Sequence, residues 1–332
     1  MYIEQVQKNS SSGWLYLIGF LIICFVWQFI GAIPWLSAII YKNGLDGFLT
    51  AAEDQNKLMS ALGNSNLTLF FILLTFAIGL AGLFFTVKFI HSQSLTSLTT
   101  SRSKIDWNRI WFSFTLWGVL SVIMTLISIY FAPEDYVFNF ELNSFLILAV
   151  IAICLVPIQT SFEEYFFRGY LMQGIGNVFK NRWVPLIFTS VVFGLLHIVN
   201  PEVSKLGYFI MIYYIGTGFF LGILTLMDEG MELALGFHAA NNLFIALLVT
   251  AEWTAFKTDS IFKYTAEPTY IGWTEFLENP WIITEIALPV FIIFPILLFV
   301  FSKKYNWSNW SDKLTGPVKV ITRSEEDVWD KR

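Results

Sequence analysis

The strongest constraint on this chain is a series of long apolar runs. They lie near residues 14–40, 67–90, 109–132, 143–160, 184–199, 207–227, 233–251 and 281–301. A helix needs about 20 mostly apolar residues to cross a bilayer. The expected fold is therefore all-α, a polytopic transmembrane helical bundle of about eight spans. Between the fourth and fifth runs, residues 161–176 are apolar yet carry charges. The fourth helix is accordingly expected to be long, from near 143 to 176. Composition supports a membrane solvent: 56% of the 332 residues are hydrophobic and only 14% are charged, against about a quarter charged in soluble domains. The 34 Phe, 13 Trp and 13 Tyr suit a lipid-facing surface with aromatic belts at its edges.

Other features narrow the class. Cys24 and Cys154 sit inside apolar runs, which argues against a disulfide framework and a cysteine zinc site. Both read as buried small hydrophobes. The net charge of -5 is unclustered, and no basic stripe invites nucleic acid. The N-terminal MYIEQVQKNSSSG is polar, and the run from Trp14 to Tyr41 is too long for the apolar part of a signal peptide. With no small-residue cleavage site, it reads as a retained span.

Loop charges set the orientation. Lys88, Arg102, Lys104 and Arg109 occupy one connection, Lys180 and Arg182 another, and Lys303 and Lys304 follow the last run. The 132–142 loop carries Glu134, Asp135 and Glu141 and no Lys or Arg. The positive-inside rule puts the basic connections in the cytoplasm, so eight spans leave both termini there and the 42–66 and 252–280 loops outside. Four segments result: N-terminal helices 1–142, a polar-group core 143–251, an outer loop with the last span 252–302, and a solvated tail 303–332. The Gly216-Thr217-Gly218-Phe219-Phe220-Leu221-Gly222 stretch holds a Gly-xxx-Gly pair, which ordinary close helix packing explains.

Ionisable groups inside membrane segments are costly and are functional candidates. Ser161-Phe162-Glu163-Glu164-Tyr165-Phe166-Phe167-Arg168 places two adjacent carboxylates in an aromatic stretch. On a helix they point about 100° apart. Glu164 and Arg168 are four apart and can pair on one face, a plain structural ion pair being the competing account. Glu163 lacks that partner and suits a general base. Phe193-Gly194-Leu195-Leu196-His197 ends one apolar run, and Gly236-Phe237-His238-Ala239-Ala240-Asn241-Asn242 lies in another. His238 and Asn242 share a helical face. A lone membrane histidine is often a helix–helix hydrogen-bonding residue, but two of the chain's three histidines fall in such segments. The third, His91, lies in a polar stretch and reads as a surface residue. Glu163 and His197 lie equally far in sequence from position 180. A helical hairpin would set them at similar height, at most about 25 Å from the turn.

At these residues the chain resembles the CPBP family, the CAAX-processing and bacteriocin-processing (Abi) intramembrane endopeptidases. The family pattern of Glu-Glu-xxx-Arg, Phe-xxx-His and His-xxx-Asn/Asp is met by Glu163-Glu164 with Arg168, Phe193 with His197, and His238 with Asn242. The similar region runs roughly over 143–250. The resemblance implies peptide-bond hydrolysis near or within the membrane, on a membrane-bound or lipidated protein or peptide, in the plasma membrane if the source is bacterial. It implies that Glu163 and His197 activate a water, with Glu164 adding polarisation. It gives His238 and Asn242 the oxyanion, and leaves Arg168 and Phe193 as supports. It also leaves the metal question open. Glu163, His197 and His238 could form a three-ligand zinc site, but Asn242 suits an oxyanion better than zinc, so no obligatory cofactor is expected.

Two other readings compete. An ion-coupled transporter predicts inverted repeats and broken helices at matching positions; no such symmetry is visible, and the polar groups concentrate in 161–242. A non-catalytic immunity or scaffold protein on the same fold predicts a degraded motif, and this one is intact.

Overall fold

The computed structural model describes residues 1–8, 12–266, 270 and 283–320. The parts of the expected outer loop and tail that fall at 267–269, 271–282 and 321–332 lie outside the described residues. After a short 3-10 turn at Ile3–Lys8, α1 (Gly13–Phe25) runs through a π-helical turn into α2 (Ile33–Ala52). Then come α3 (Gln55–Ser60), α4 (Ser65–Phe89), α5 (Leu95–Thr99) and α6 (Trp107–Phe131). The strand β1 (Tyr136–Phe138) precedes α7 (Leu142–Glu164), which continues through a π-helix at Tyr165–Leu171 into α8 (Met172–Phe179). The chain goes on with α9 (Trp183–Leu195), α10 (Pro201–Leu206), α11 (Ile210–Asp228) and α12 (Glu232–Leu248). The strands β2 (Val249–Ala251) and β3 (Phe262–Tyr264) precede α13 (Phe294–Tyr305) and α14 (Trp310–Thr315).

Local chemistry sets several boundaries. Asn64 accepts from the Leu67 N–H at 2.8 Å and Asp106 from the Asn108 N–H at 3.1 Å, so α4 and α6 start on side-chain caps. Lys180 and Glu229 take left-handed backbone conformations and end α8 and α11. The fourth helix is long, as expected, extending over Leu142–Phe179.

Six helical stretches among the described residues are long and apolar enough to cross a membrane. The other two expected spans are the shorter α9 and α12. At 13 residues, α9 is about 20 Å long, less than the roughly 30 Å hydrocarbon core. It stops because the chain turns at 196–199. The second, α12, packs against α6, α7 and α11, and every residue from Glu232 to Ala240 is buried. A helix so enclosed need not match the bilayer thickness by itself. Gly236 permits its contact with α6, since a Cβ there would run into the backbone carbonyl of Ile110. Gly218, from the Gly-xxx-Gly stretch, meets the Ser190 backbone of α9 in the same way.

Large apolar side chains line the outside: Leu146, Val150 and Ile153 on α7, Val119 and Ile123 on α6, and Phe291 and Ile296 near the last span. Cys154 is exposed on this outer surface and Cys24 is half-buried, correcting the expectation of two buried cysteines. The outward face of a membrane helix is apolar because lipid covers it, so an apolar run does not imply an interior position.

The basic connections gather at one end. Arg102 pairs with Asp228 at 3.0 Å and with Glu232 at 3.1 Å, and Arg109 contacts both Asp106 and Asp228. Arg182 is fully buried and paired with Glu4. The N-terminal segment, though polar in sequence, inserts here with Tyr2, Ile3 and Val6 buried. His91 is also buried, 3.0 Å from the Tyr170 hydroxyl and with its ring 4.4 Å from that of Tyr16 at a tilt of 35°. It is therefore not a surface residue; the folded N-terminal helix covers the polar stretch that contains it. At the opposite end, β1 pairs antiparallel and β2 parallel with β3. This small sheet has no counterpart in the sequence reading.

Candidate active site

Glu163 and Glu164 close α7 immediately before the π-helix at Tyr165–Leu171. π-Helical turns are rare and often mark functional positions. The two carboxylates have different surroundings. The Glu164 side chain is wholly enclosed and its Oε1 accepts from Arg168 Nη1 at 3.0 Å. The second arm of Arg168 donates to the Gly218 carbonyl at 3.1 Å, tying α7 to α11. Glu163 retains 14% exposure of its side chain. It accepts from Gln159 Nε2 at 2.6 Å, one turn earlier on the same helix.

His238 lies between the two acids. Its Nδ1 is 2.8 Å from Glu164 Oε1, and its Nε2 is 3.4 Å from Glu163 Oε2. The same Oε1 accepts from Arg168, so it acts as an acceptor here too and Nδ1 is the donor in the first contact. Asn242, one turn beyond His238, donates to Gln159 Oε1 at 3.1 Å. Asn241 donates to Asn242 Oδ1 at 3.1 Å, and the Trp117 indole donates to Asn241 Oδ1 at 3.1 Å. A directional chain of amide bonds thus runs from α6 through α12 to Glu163. Of the two adjacent asparagines, Asn242 is the one linked to the acid.

His197 sits in the turn after α9. Its Nδ1 is 2.8 Å from the Phe193 carbonyl. A carbonyl only accepts, so Nδ1 carries a proton, and in the neutral tautomer of that kind Nε2 is the nitrogen with the free lone pair. The Phe193 ring joins the parts of the site. It lies 5.1 Å from the His197 ring, 5.8 Å from the His238 ring and 4.4 Å beneath the Arg168 guanidinium.

Two hydrogen-bonded groups, Glu164 with Arg168 and His238, and Glu163 with Gln159 and Asn242, therefore meet at the 3.4 Å contact of His238 with Glu163, and Phe193 brings His197 beside them. Among the described residues, His197 makes no hydrogen bond to Glu163. The zinc arrangement is not assembled: Glu163 and His238 face each other, but no three His, Cys, Asp or Glu side chains among the described residues gather as a metal site. Gln159 and Trp117 were missed by sequence reasoning, and Asn241 was weighed there only as the alternative to Asn242. Gln159 had a legible signal, as a polar residue in an apolar run one helical turn before Glu163. Trp117 had none, since only the packing of α6 on α12 brings it near.

Residues 141–244 match the family model of Rce1-like type II CAAX prenyl endopeptidases. The chain is 34% identical over 253 residues to the uncharacterized protein YyaK of Bacillus subtilis, a match that spans 75% of this chain and 82% of the relative. No solved structure matches.

Proposed function

The chain belongs to the CPBP family of Rce1-like, CAAX-protease-type membrane endopeptidases, and from that premise we propose that it hydrolyses a peptide bond of a membrane-bound or lipidated protein or peptide. The observation that carries this reading is the unequal setting of the adjacent carboxylates. Glu164 is neutralised by Arg168 and enclosed, which suits a fixed structural charge. Among the described residues Glu163 forms no ion pair with an arginine or lysine; it is partly accessible and is aimed by Gln159.

Glu163 then takes a proton from a water while the Nε2 lone pair of His197 helps to hold that water. The hydroxide attacks the scissile carbonyl, and the proton passes to the leaving amine. The oxyanion is met by His238 and Asn242. Asn242 has a second amide N–H beyond the one given to Gln159. His238 commits Nδ1–H to Glu164, so it meets the oxyanion through Nε2 only when that nitrogen also carries a proton. With the basic connections inside, both termini face the cytoplasm.

The test uses the purified chain in proteoliposomes with a fluorogenic peptide reporter, prenylated and unprenylated. Glu163→Gln, His197→Ala and His238→Ala should each abolish cleavage while leaving insertion intact. Full activity in Glu163→Gln refutes the mechanism. Cleavage lost on chelation and restored by zinc would replace it with a metal-based one. A preference for the prenylated reporter would assign the substrate class.

A further inference from the structure

The roles above leave Tyr214 and Glu202 unused, although both reach the His197 turn. Tyr214 lies on α11, and its ring stacks on the His197 imidazole with centroids 4.4 Å apart and planes at 22°. Its hydroxyl donates to Glu202 Oε1 at 2.6 Å, a short bond of the charge-assisted kind. Glu202, on α10, is 8% exposed. It also accepts from Asn200 Nδ2 at 3.2 Å and, through Oε2, from the Ala255 backbone N–H at 3.0 Å. One buried carboxylate thus joins α10, α11, the segment just after the His197 turn, and the stretch that follows β2.

His197 needs such support. It stands beyond the end of α9, in a turn held by single backbone bonds from its N–H to Gly194 and from the Asn200 N–H to its carbonyl. Its ring is fixed at one edge by the Phe193 carbonyl. One hydrogen bond leaves the ring free to pivot about that edge. The Phe193 ring is tilted at 54° to the imidazole and does not define its plane. The near-parallel Tyr214 ring does.

We propose that Glu202 and Tyr214 are positioning residues for His197: the carboxylate pins the phenol, and the phenol holds the imidazole plane and so the direction of its Nε2 lone pair. This rests on the reading of His197 as part of the water-activating pair. Catalytic groups lose rate steeply when displaced by about 1 Å, so the pair should affect turnover more than substrate binding.

The experiment measures kcat and KM of the full chain in proteoliposomes with the peptide reporter, together with thermal stability. Tyr214→Leu removes the stack and should lower kcat by about tenfold to a hundredfold with KM within about twofold of wild type. Tyr214→Phe keeps the ring but frees it from Glu202, so a smaller loss of a few-fold is expected. Glu202→Gln still accepts the hydroxyl and should retain most activity, whereas Glu202→Ala also drops the bonds to Asn200 and Ala255 and should lose at least as much as Tyr214→Phe. The double variant Glu202→Ala/Tyr214→Phe should be no worse than the poorer single one, because both remove one interaction. The proposal fails if a stably folded Tyr214→Leu keeps the wild-type kcat, or if the two single losses multiply in the double variant. Failure of the underlying reading is seen separately, as full activity in His197→Ala.

Discussion

Replacing Arg168 by Met leaves Glu164 as an enclosed carboxylate with one remaining donor, His238 Nδ1 at 2.8 Å. Both members of the ion pair are fully buried, so no solvent screening softens the loss. Removing one partner of a buried pair costs about 3–5 kcal/mol. The lost bond to the Gly218 carbonyl adds about 1 kcal/mol. These contributions share one guanidinium and do not simply sum, so a loss of about 4 kcal/mol is expected. Lysine keeps the charge but cannot reach both Glu164 and Gly218 with a planar fork, and Arg168→Lys should cost about 1–2 kcal/mol. The double variant Glu164→Gln/Arg168→Met no longer buries a lone charge and should regain about half of the stability lost by Arg168→Met. Reversible unfolding in mixed detergent micelles, followed by circular dichroism, measures all three. An Arg168→Met protein within about 1 kcal/mol of wild type, or a double variant no more stable than the single one, would refute the assignment of Glu164 as a charge held by Arg168.

Three further outcomes are expected. Gln159→Leu removes the amide that aims Glu163 and receives Asn242, and kcat on the peptide reporter should fall about tenfold; an unchanged kcat would remove Gln159 from the site. Gly236→Ala drives a methyl group into the Ile110 carbonyl of α6, where backbone cannot yield cheaply, and should destabilise by about 1–3 kcal/mol in the same unfolding assay. Cys154 is exposed on α7 within a span, so in liposomes a lipophilic maleimide should label it faster than a charged thiosulfonate reagent. The reverse preference would place that face in water.

The long spans were legible because a membrane helix must be continuously apolar over a length set by the bilayer. α4, α6 and the 38-residue Leu142–Phe179 stretch fall close to their expected places for that reason. The spacing rule for helical faces also predicted the pairing of Glu164 with Arg168. α9 was drawn too long because Leu195, Leu196, Ile198 and Val199 are as apolar as a helix interior, and composition does not register the turn that sets His197. The small sheet was missed because its three-residue strands carry no usable periodicity. His91 was misjudged because polar sequence was equated with surface, and the burial of the N-terminal segment has no signal in its polar sequence. Both are enclosed by partners more than 70 residues away in sequence, such as Tyr170 for His91 and Arg182 for Glu4.

The sequence by itself determined that the chain is a membrane helical bundle and which side chains are chemically exceptional within it, because a charge in hydrocarbon is conspicuous wherever it occurs. It could not divide the work between Glu163 and Glu164 beyond a helical-face argument. That division depends on α12 bringing His238 between the acids, on α11 offering the Gly218 carbonyl to Arg168, and on the Phe193 ring joining the two histidines. Those are contacts between helices distant in sequence, and only their packing decides which polar groups meet.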